Sequence, residues 1–133
     1  MSLYRLDRFF APRSVAIVGA TDRPHSMGQA LMANMTRAGF SGQLLPVNPK
    51  HAEVAGLPTF ASLSDLPLVP DLVVMATPGP TIPGLVDEAA RLGVPAAVVI
   101  SALERQGYEA ASGRLGKAVR DKAIRLVGPN CFG

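Results

Sequence analysis

Three stretches of this chain carry residue types that together suit a polyanionic nucleotide. The first is Gly19-Ala20-Thr21-Asp22-Arg23-Pro24-His25-Ser26-Met27-Gly28, which follows a β-branched run and opens a helical pattern. Unpaired backbone N–H groups and the positive end of a helix dipole meet at such a junction, and that combination binds phosphate. Gly19 and Gly28 let a ligand come close to the backbone, and Arg23 adds a cation. The second stretch is Val47-Asn48-Pro49-Lys50-His51. A dinucleotide site that grips an unmodified ribose diol carries Asp or Glu at this point. A cation there instead suits a ribose bearing an extra phosphate, as in the 3′-phospho-ADP end of coenzyme A or the 2′-phosphate of NADP. The third stretch, Ala76-Thr77-Pro78-Gly79-Pro80, is a stiff loop suited to lining a groove.

Other chemistries find less support. Gly19 is not followed by the G-x-G-x-x-G spacing of a dinucleotide fingerprint, and no Gly-Lys-Ser/Thr completes a Walker loop. His25 and His51 read as loop residues with no cysteine near them in sequence, so no metal site is expected. The carboxylates are scattered, with no pair suited to acid–base work, and Cys131 reads as a structural loop residue. No catalytic residue is assigned.

The elements that must position these loops alternate along the chain. Ser14 to Ala20 reads as a buried strand. Met27, Ala30, Leu31, Met35 and Ala38 recur at helical spacing, with Gly39 as the stop. Gln43 to Val47 is a second strand, and Pro46 predicts that it is short or near an edge. Val54 to Leu66 holds one small extended piece and a turn at Ser64-Asp65. Leu72 to Ala76 is the next strand. Thr81 is the expected N-cap of a helix with Pro83 in its first turn. Ile82, Leu85, Val86 and Ala89 form its apolar face, Asp87, Glu88 and Arg91 its polar one, and Gly93 its end. Ala96 to Ile100 is a strand, Ala111, Leu115, Ala118 and Val119 mark a third helix, and Arg125 to Val127 is a last strand. Leu3 to Phe10 is expected as a short helix packing Phe9 and Phe10 onto the sheet. The order predicts an α/β, doubly wound, mainly parallel sheet with helices on both faces.

Composition agrees with this class. A 133-residue chain favours one domain and buries roughly two-thirds of its unfolded surface. With 48% hydrophobic and 17% charged residues it is neither a disordered tail nor a coiled coil. A single cysteine rules out an intramolecular disulfide. A net charge of +3 is too mild to point to nucleic acid. No apolar run reaches the roughly 18 residues of a membrane span, and no secretory leader is visible, so a cytoplasmic address is expected.

The ordered set Ala11-Pro12-Arg13-Ser14-Val15-Ala16-Ile17-Val18-Gly19-Ala20-Thr21, Arg23-Pro24, Gly39-Phe40-Ser41-Gly42, Pro46-Val47-Asn48-Pro49-Lys50, Gly56, Ser62-Leu63, Asp65-Leu66-Pro67 and Gly128-Pro129-Asn130-Cys131 carries a resemblance. It resembles the N-terminal CoA-binding domain of NDP-forming acyl-CoA synthetases, relatives of the succinyl-CoA synthetase alpha subunit. A similar domain begins some bacterial protein lysine acetyltransferases that carry a fused GNAT domain. The resemblance implies a Rossmann-like domain, residues 1–133, holding CoA or acyl-CoA across the strand ends. By position, Gly19, Ala20, Thr21, Arg23, Ser26, Met27 and Gly28 belong to the phosphate loop. Asn48, Pro49 and Lys50 lie near the nucleotide phosphate or adenine. Thr77 and Pro78 line the groove, and Ser101 and Asn130 lie along the route of the pantetheine and its thiol. The chain departs from the family where Ser101-Ala102 runs into Leu103-Glu104 without the usual glycine.

In that family a histidine in a later domain carries the phosphoryl group, so the resemblance implies a non-catalytic piece of a longer protein. The parent would be an acid–thiol ligase or an acetyltransferase, and the partners CoA and downstream domains of the same chain, with weak self-association open. Two alternatives stand beside this reading: an NADP-binding domain of an oxidoreductase, and a stand-alone regulatory CoA-binding protein.

Overall fold

Ser14–Val18 (β1) is a run of small and β-branched side chains, and all five residues are buried. A strand buried on both faces belongs at the centre of a parallel sheet, and the computed structural model places it there. The structure describes residues 11–100 together with the backbone of Arg125–Val127. β1 is followed by a helix over Met27–Arg37 (α1) and by Gln43–Val47 (β2). Two short strands come next, Glu53–Val54 (β3) and Leu57–Pro58 (β4), then a 3-10 turn over Leu63–Asp65. Leu72–Met75 (β5), a 3-10 turn over Gly79–Thr81, the helix Ile82–Leu92 (α2), Ala96–Val99 (β6) and Arg125–Val127 (β7) complete the order.

The main sheet runs β2-β1-β5-β6-β7, and every pairing is parallel. The expected α/β, doubly wound class is therefore observed. One layer of core, including Ala16, Val18, Val73, Met75, Ile82 and Val86, lies under α2. The other, with Val15, Ile17, Ala20 and Met32, lies under α1. β1 leads to its neighbour on one side through α1, and β5 leads to its neighbour on the other side through α2. The two loops thus leave the sheet towards opposite faces, and a crevice opens between them at the carboxyl ends.

β2 is the edge strand, as Pro46 predicts. The Pro46 carbonyl points away from β1 and accepts from the Phe60 N–H at 3.0 Å. The nitrogen of the same residue faces that way too, so its missing proton costs the sheet no ladder bond. α1 begins at Ser26, whose hydroxyl accepts from the Gln29 N–H at 3.2 Å, and Gly39 follows its end at φ 70°. α2 ends at Gly93 in the left-handed region, with its N–H bonded back to Ala89 and Ala90.

Four expectations are corrected in detail. β1, β5 and β6 stop short of Ala20, Ala76 and Ile100; for β1 the cause is Gly19, whose φ of 90° turns the chain out of the strand. The single extended piece after residue 53 is two strands, a hairpin closed by Ala55 and Gly56 at φ 53° and 79°. A two-residue turn with both φ values positive matches the twist of paired strands. Thr81 occupies the N-cap position of α2 but does not cap it. The preceding 3-10 turn already gives Thr81 helical angles, and its hydroxyl lies 2.6 Å from the Pro78 carbonyl and 2.7 Å from the Thr77 hydroxyl. Glu88, expected on the outer face of α2, lines a cleft instead. The predicted helices over residues 3–10 and 111–119 lie outside the described residues.

The first turn of α1 passes directly beneath β1's exit. A Cβ added at Gly28 would stand 2.0 Å from the Gly19 carbonyl oxygen, far inside contact distance. Gly84, in α2, is exposed and a Cβ there meets nothing within 4 Å. We expect Gly28→Ala to destabilise the fold by about 2–3 kcal/mol through forced displacement of the helix. Gly84→Ala should stabilise it by roughly 0.5–1 kcal/mol through helix propensity alone. Urea denaturation of both variants checks the pair, and shifts of the same sign would contradict the packing argument.

Candidate functional site

The crevice between the β1 and β5 exits is the inner end of a cleft of about 1020 Å³. Each loop reaches it through a specific tie. Gly19 donates its N–H to the Val47 carbonyl at 2.9 Å, which brings the β1 and β2 exits together. A Cβ on Gly19 would stand 2.8 Å from the Ala76 carbonyl oxygen and 3.1 Å from the Thr77 methyl. Only glycine allows the β1 exit to touch the β5 exit this closely, and its φ of 90° requires glycine independently.

Asn48 fastens the second wall. Its Nδ2 donates to the Ala20 carbonyl at 2.9 Å, and its Oδ1 accepts from the Lys50 N–H at 2.9 Å. One half-buried side chain therefore sets where Lys50 stands relative to the β1 exit. Thr21, 8% exposed, accepts from the Arg23 N–H at 3.1 Å and lies 3.4 Å from His51 Nε2. The Asp22 carboxylate receives the Ala55 N–H at 3.1 Å, which pins the β3–β4 hairpin to the same turn. His25 holds φ 62° immediately before the Ser26 cap. A non-glycine residue there costs on the order of 1 kcal/mol, and the Ser26 hydroxyl donating to the Arg23 carbonyl at 2.7 Å helps to hold the turn.

Of the residues singled out from sequence, Gly19, Thr21, Arg23, Asn48, Pro49, Lys50, Thr77 and Pro78 are brought together in the cleft lining. Ala20, Ser26, Met27 and Gly28 are not among the lining residues. Ala20 is fully buried behind the loop, Ser26 caps the helix, Gly28 supports Gly19 from beneath, and Met27 is 52% exposed. Ser101 and Asn130 lie outside the described residues. The sequence reading missed Asp22, His51 and Glu53 as lining residues, together with Ala61, Ser62, Leu63, Thr81, Leu85 and Glu88. The spacing 81, 85, 88 is one side of a helix, and that periodicity was the available signal for the last three.

Chemically, the cleft joins the Gly19 turn that leads into α1, two exposed cations and an apolar side. The first-turn amides of α1 have no intrahelical acceptor and carry the positive end of its dipole. Arg23 and Lys50 stand at the rim, and the half-buried Leu85 supplies apolar surface, with the buried Leu63 and Val47 also in the lining. A second cavity of about 960 Å³ lies at the opposite rim, among Pro12, Val15, Met35, Phe40, Leu72 and Val74. Arg13 is its one lining cation among the described residues, and no helix start is among its lining residues. Among the described residues no group of three or more His, Cys, Asp or Glu could hold a metal ion, and no helix is long and apolar enough to cross a membrane.

Residues 13–133 match the family model described as a CoA binding domain. The chain is 36% identical over 131 residues to acetate–CoA ligase [ADP-forming] I of Archaeoglobus fulgidus, covering 96% of this chain and 19% of that protein. It is likewise 36% identical over 132 residues to trans-feruloyl-CoA synthase from an unknown prokaryotic organism, covering 97% of this chain and 19% of that one. Among solved structures it is similar to the dinucleotide forming acetyl-coenzyme A synthetase 1 of Ca. Korarchaeum cryptofilum in complex with phosphate and ADP. There the TM-score is 0.88 and the identity 33%, over 96% of this chain and 28% of that one. The chain thus spans about a fifth of the length of these curated relatives. With its Rossmann-like parallel sheet and a lysine where a diol-gripping acid would stand, the chain belongs to the CoA-binding domain family and corresponds to the N-terminal part of ADP-forming acetyl-CoA synthetases.

Proposed function

We propose that the cleft takes coenzyme A by its 3′-phospho-ADP end, and that the chain serves as the CoA-holding part of an ADP-forming acyl-CoA synthetase. The observation that carries this reading is the convergence of the Gly19 turn, Arg23, the Asn48-Pro49-Lys50 segment and Thr77 on one cleft. The diphosphate lies against the turn between Gly19 and Gly28, where amides and helix dipole offset its charge. Arg23 and Lys50 meet the remaining negative charge, with Lys50 directed at the 3′-phosphate. Thr77 and Pro78 guide the ligand along the β5 exit, and Ser101 and Asn130 lie on the route of the pantetheine. Family membership favours CoA over NADP as the phosphate-bearing nucleotide, and the relatives named above favour a ligase parent over an acetyltransferase.

The roles of the rest of such a parent follow by difference. In this reading the chain holds and presents the thiol while other parts of the parent activate the acid. The two curated relatives are equally similar to this chain, yet their names specify acetate and a feruloyl group. A domain shared between such different acids reads the carrier, and the choice of acyl group rests elsewhere.

Charge-assisted hydrogen bonds contribute about 1.5–3 kcal/mol, so Lys50→Ala should weaken CoA roughly ten- to hundredfold. Dephospho-CoA, which lacks the 3′-phosphate, should be nearly unaffected. Titration calorimetry with both ligands decides, and equal losses would remove Lys50 from that phosphate. Asn48→Ala acts indirectly, because it severs the tie between the β1 and β2 exits. By displacing Lys50 it should weaken CoA more than dephospho-CoA, and it should also reduce stability by about 1–3 kcal/mol, read from the denaturation midpoint. Equal losses for both ligands would show that Asn48 does not act through Lys50.

A further inference from the structure

The cleft that suits a polyanion is also lined by three carboxylates, those of Asp22, Glu53 and Glu88. Facing phosphates they would repel the ligand, so each needs another partner. Asp22 has one in the Ala55 N–H, and Glu53 is exposed on the hairpin. Glu88 is different. It is half-buried on α2, one turn beyond Leu85, and its Oε2 accepts from the Ser64 hydroxyl at 2.7 Å. That exposed bond joins α2 to the 3-10 turn that carries the buried Leu63, and Glu88 and Leu85 line the cleft on the same side of α2.

A held carboxylate beside apolar surface calls for a flat, apolar ligand group with a hydrogen-bond donor on its edge. We infer that Glu88 determines base specificity by accepting the exocyclic 6-amino group of adenine, with the half-buried Leu85 against the ring. The inference rests on the CoA reading and adds to it a reason for the base. A 6-oxo purine turns a lone pair towards the same carboxylate and is rejected. The Ser64 hydroxyl occupies Oε2 and leaves Oε1 to receive the amine. Such a site discriminates strongly because the wrong base leaves a charged acceptor unpaired.

The test is titration calorimetry of the full chain with CoA and with its hypoxanthine counterpart, in which an oxo group replaces the 6-amino group. The wild-type chain should prefer adenine on the order of tenfold or more. Glu88→Gln, whose amide can either accept from an amine or donate to an oxo group, should bring the two ligands to nearly equal affinity. Ser64→Ala keeps the charge and frees the carboxylate, and should lower the preference to an intermediate value. Equal binding of both bases by the wild type, or an undiminished preference in Glu88→Gln, overturns the inference while leaving the CoA reading intact. A wild-type chain that binds neither ligand overturns both. Should Glu88→Gln fail to fold, an unchanged preference in Ser64→Ala overturns it.

Discussion

Backbone meets backbone where β1 hands over to α1, and the site depends on that contact. Gly28 lies so close under the Gly19 carbonyl that no side chain fits between them, and Gly19 in turn lies against the Ala76 carbonyl. Two glycines thereby draw a helix start, a strand exit and a neighbouring strand exit into one small volume. The β1 and β5 exits can meet because nothing larger than hydrogen stands between Gly19 and the Ala76 carbonyl.

The sheet order supplies the crevice, and side chains supply its charge. Because β1 and β5 send their loops to opposite faces, a crevice opens between their exits. Asn48 then converts an edge strand into a wall by reaching back to the Ala20 carbonyl while fixing the Lys50 amide. Hairpin β3–β4 is attached to the same turn through Asp22. Cations on one side and a held carboxylate beside leucines on the other give the cleft two ends of unlike chemistry. A ligand with a phosphorylated sugar and an amine-bearing base has the matching asymmetry.

Much of this was legible in the residues. The β-branched runs at 14–18 and 72–75 read as buried strands, and the helical pattern that follows each of them pointed to the doubly wound class. The bounds of β2 were read without error, since Pro46 and Asn48-Pro49 mark its character and its end. The lysine following β2 was visible as the residue out of place for an ordinary dinucleotide. Other features were hidden for physical reasons. The β3–β4 hairpin places Ala55 at a positive φ, where Asn, Asp or Gly would have announced the turn. Thr81 has the residue type of a cap, but the 3-10 turn before it removes the cap's geometry. Glu88 sits at the border of α2's apolar face, and only the position of the 3-10 turn reveals that this border looks into the cleft. Ala20, Ser26 and Gly28 belong to the phosphate turn as its support, a distinction that spacing along the chain does not make.

The central claim is that CoA settles at the carboxyl ends of β1 and β5. Amide chemical shifts followed by NMR during a CoA titration test it most directly. The account predicts that the largest changes fall on Gly19, Thr21, Arg23, Lys50 and Thr77, with the opposite rim at Arg13, Ser41 and Gln43 unmoved. Changes concentrated at that opposite rim, with the Gly19 turn silent, would contradict it.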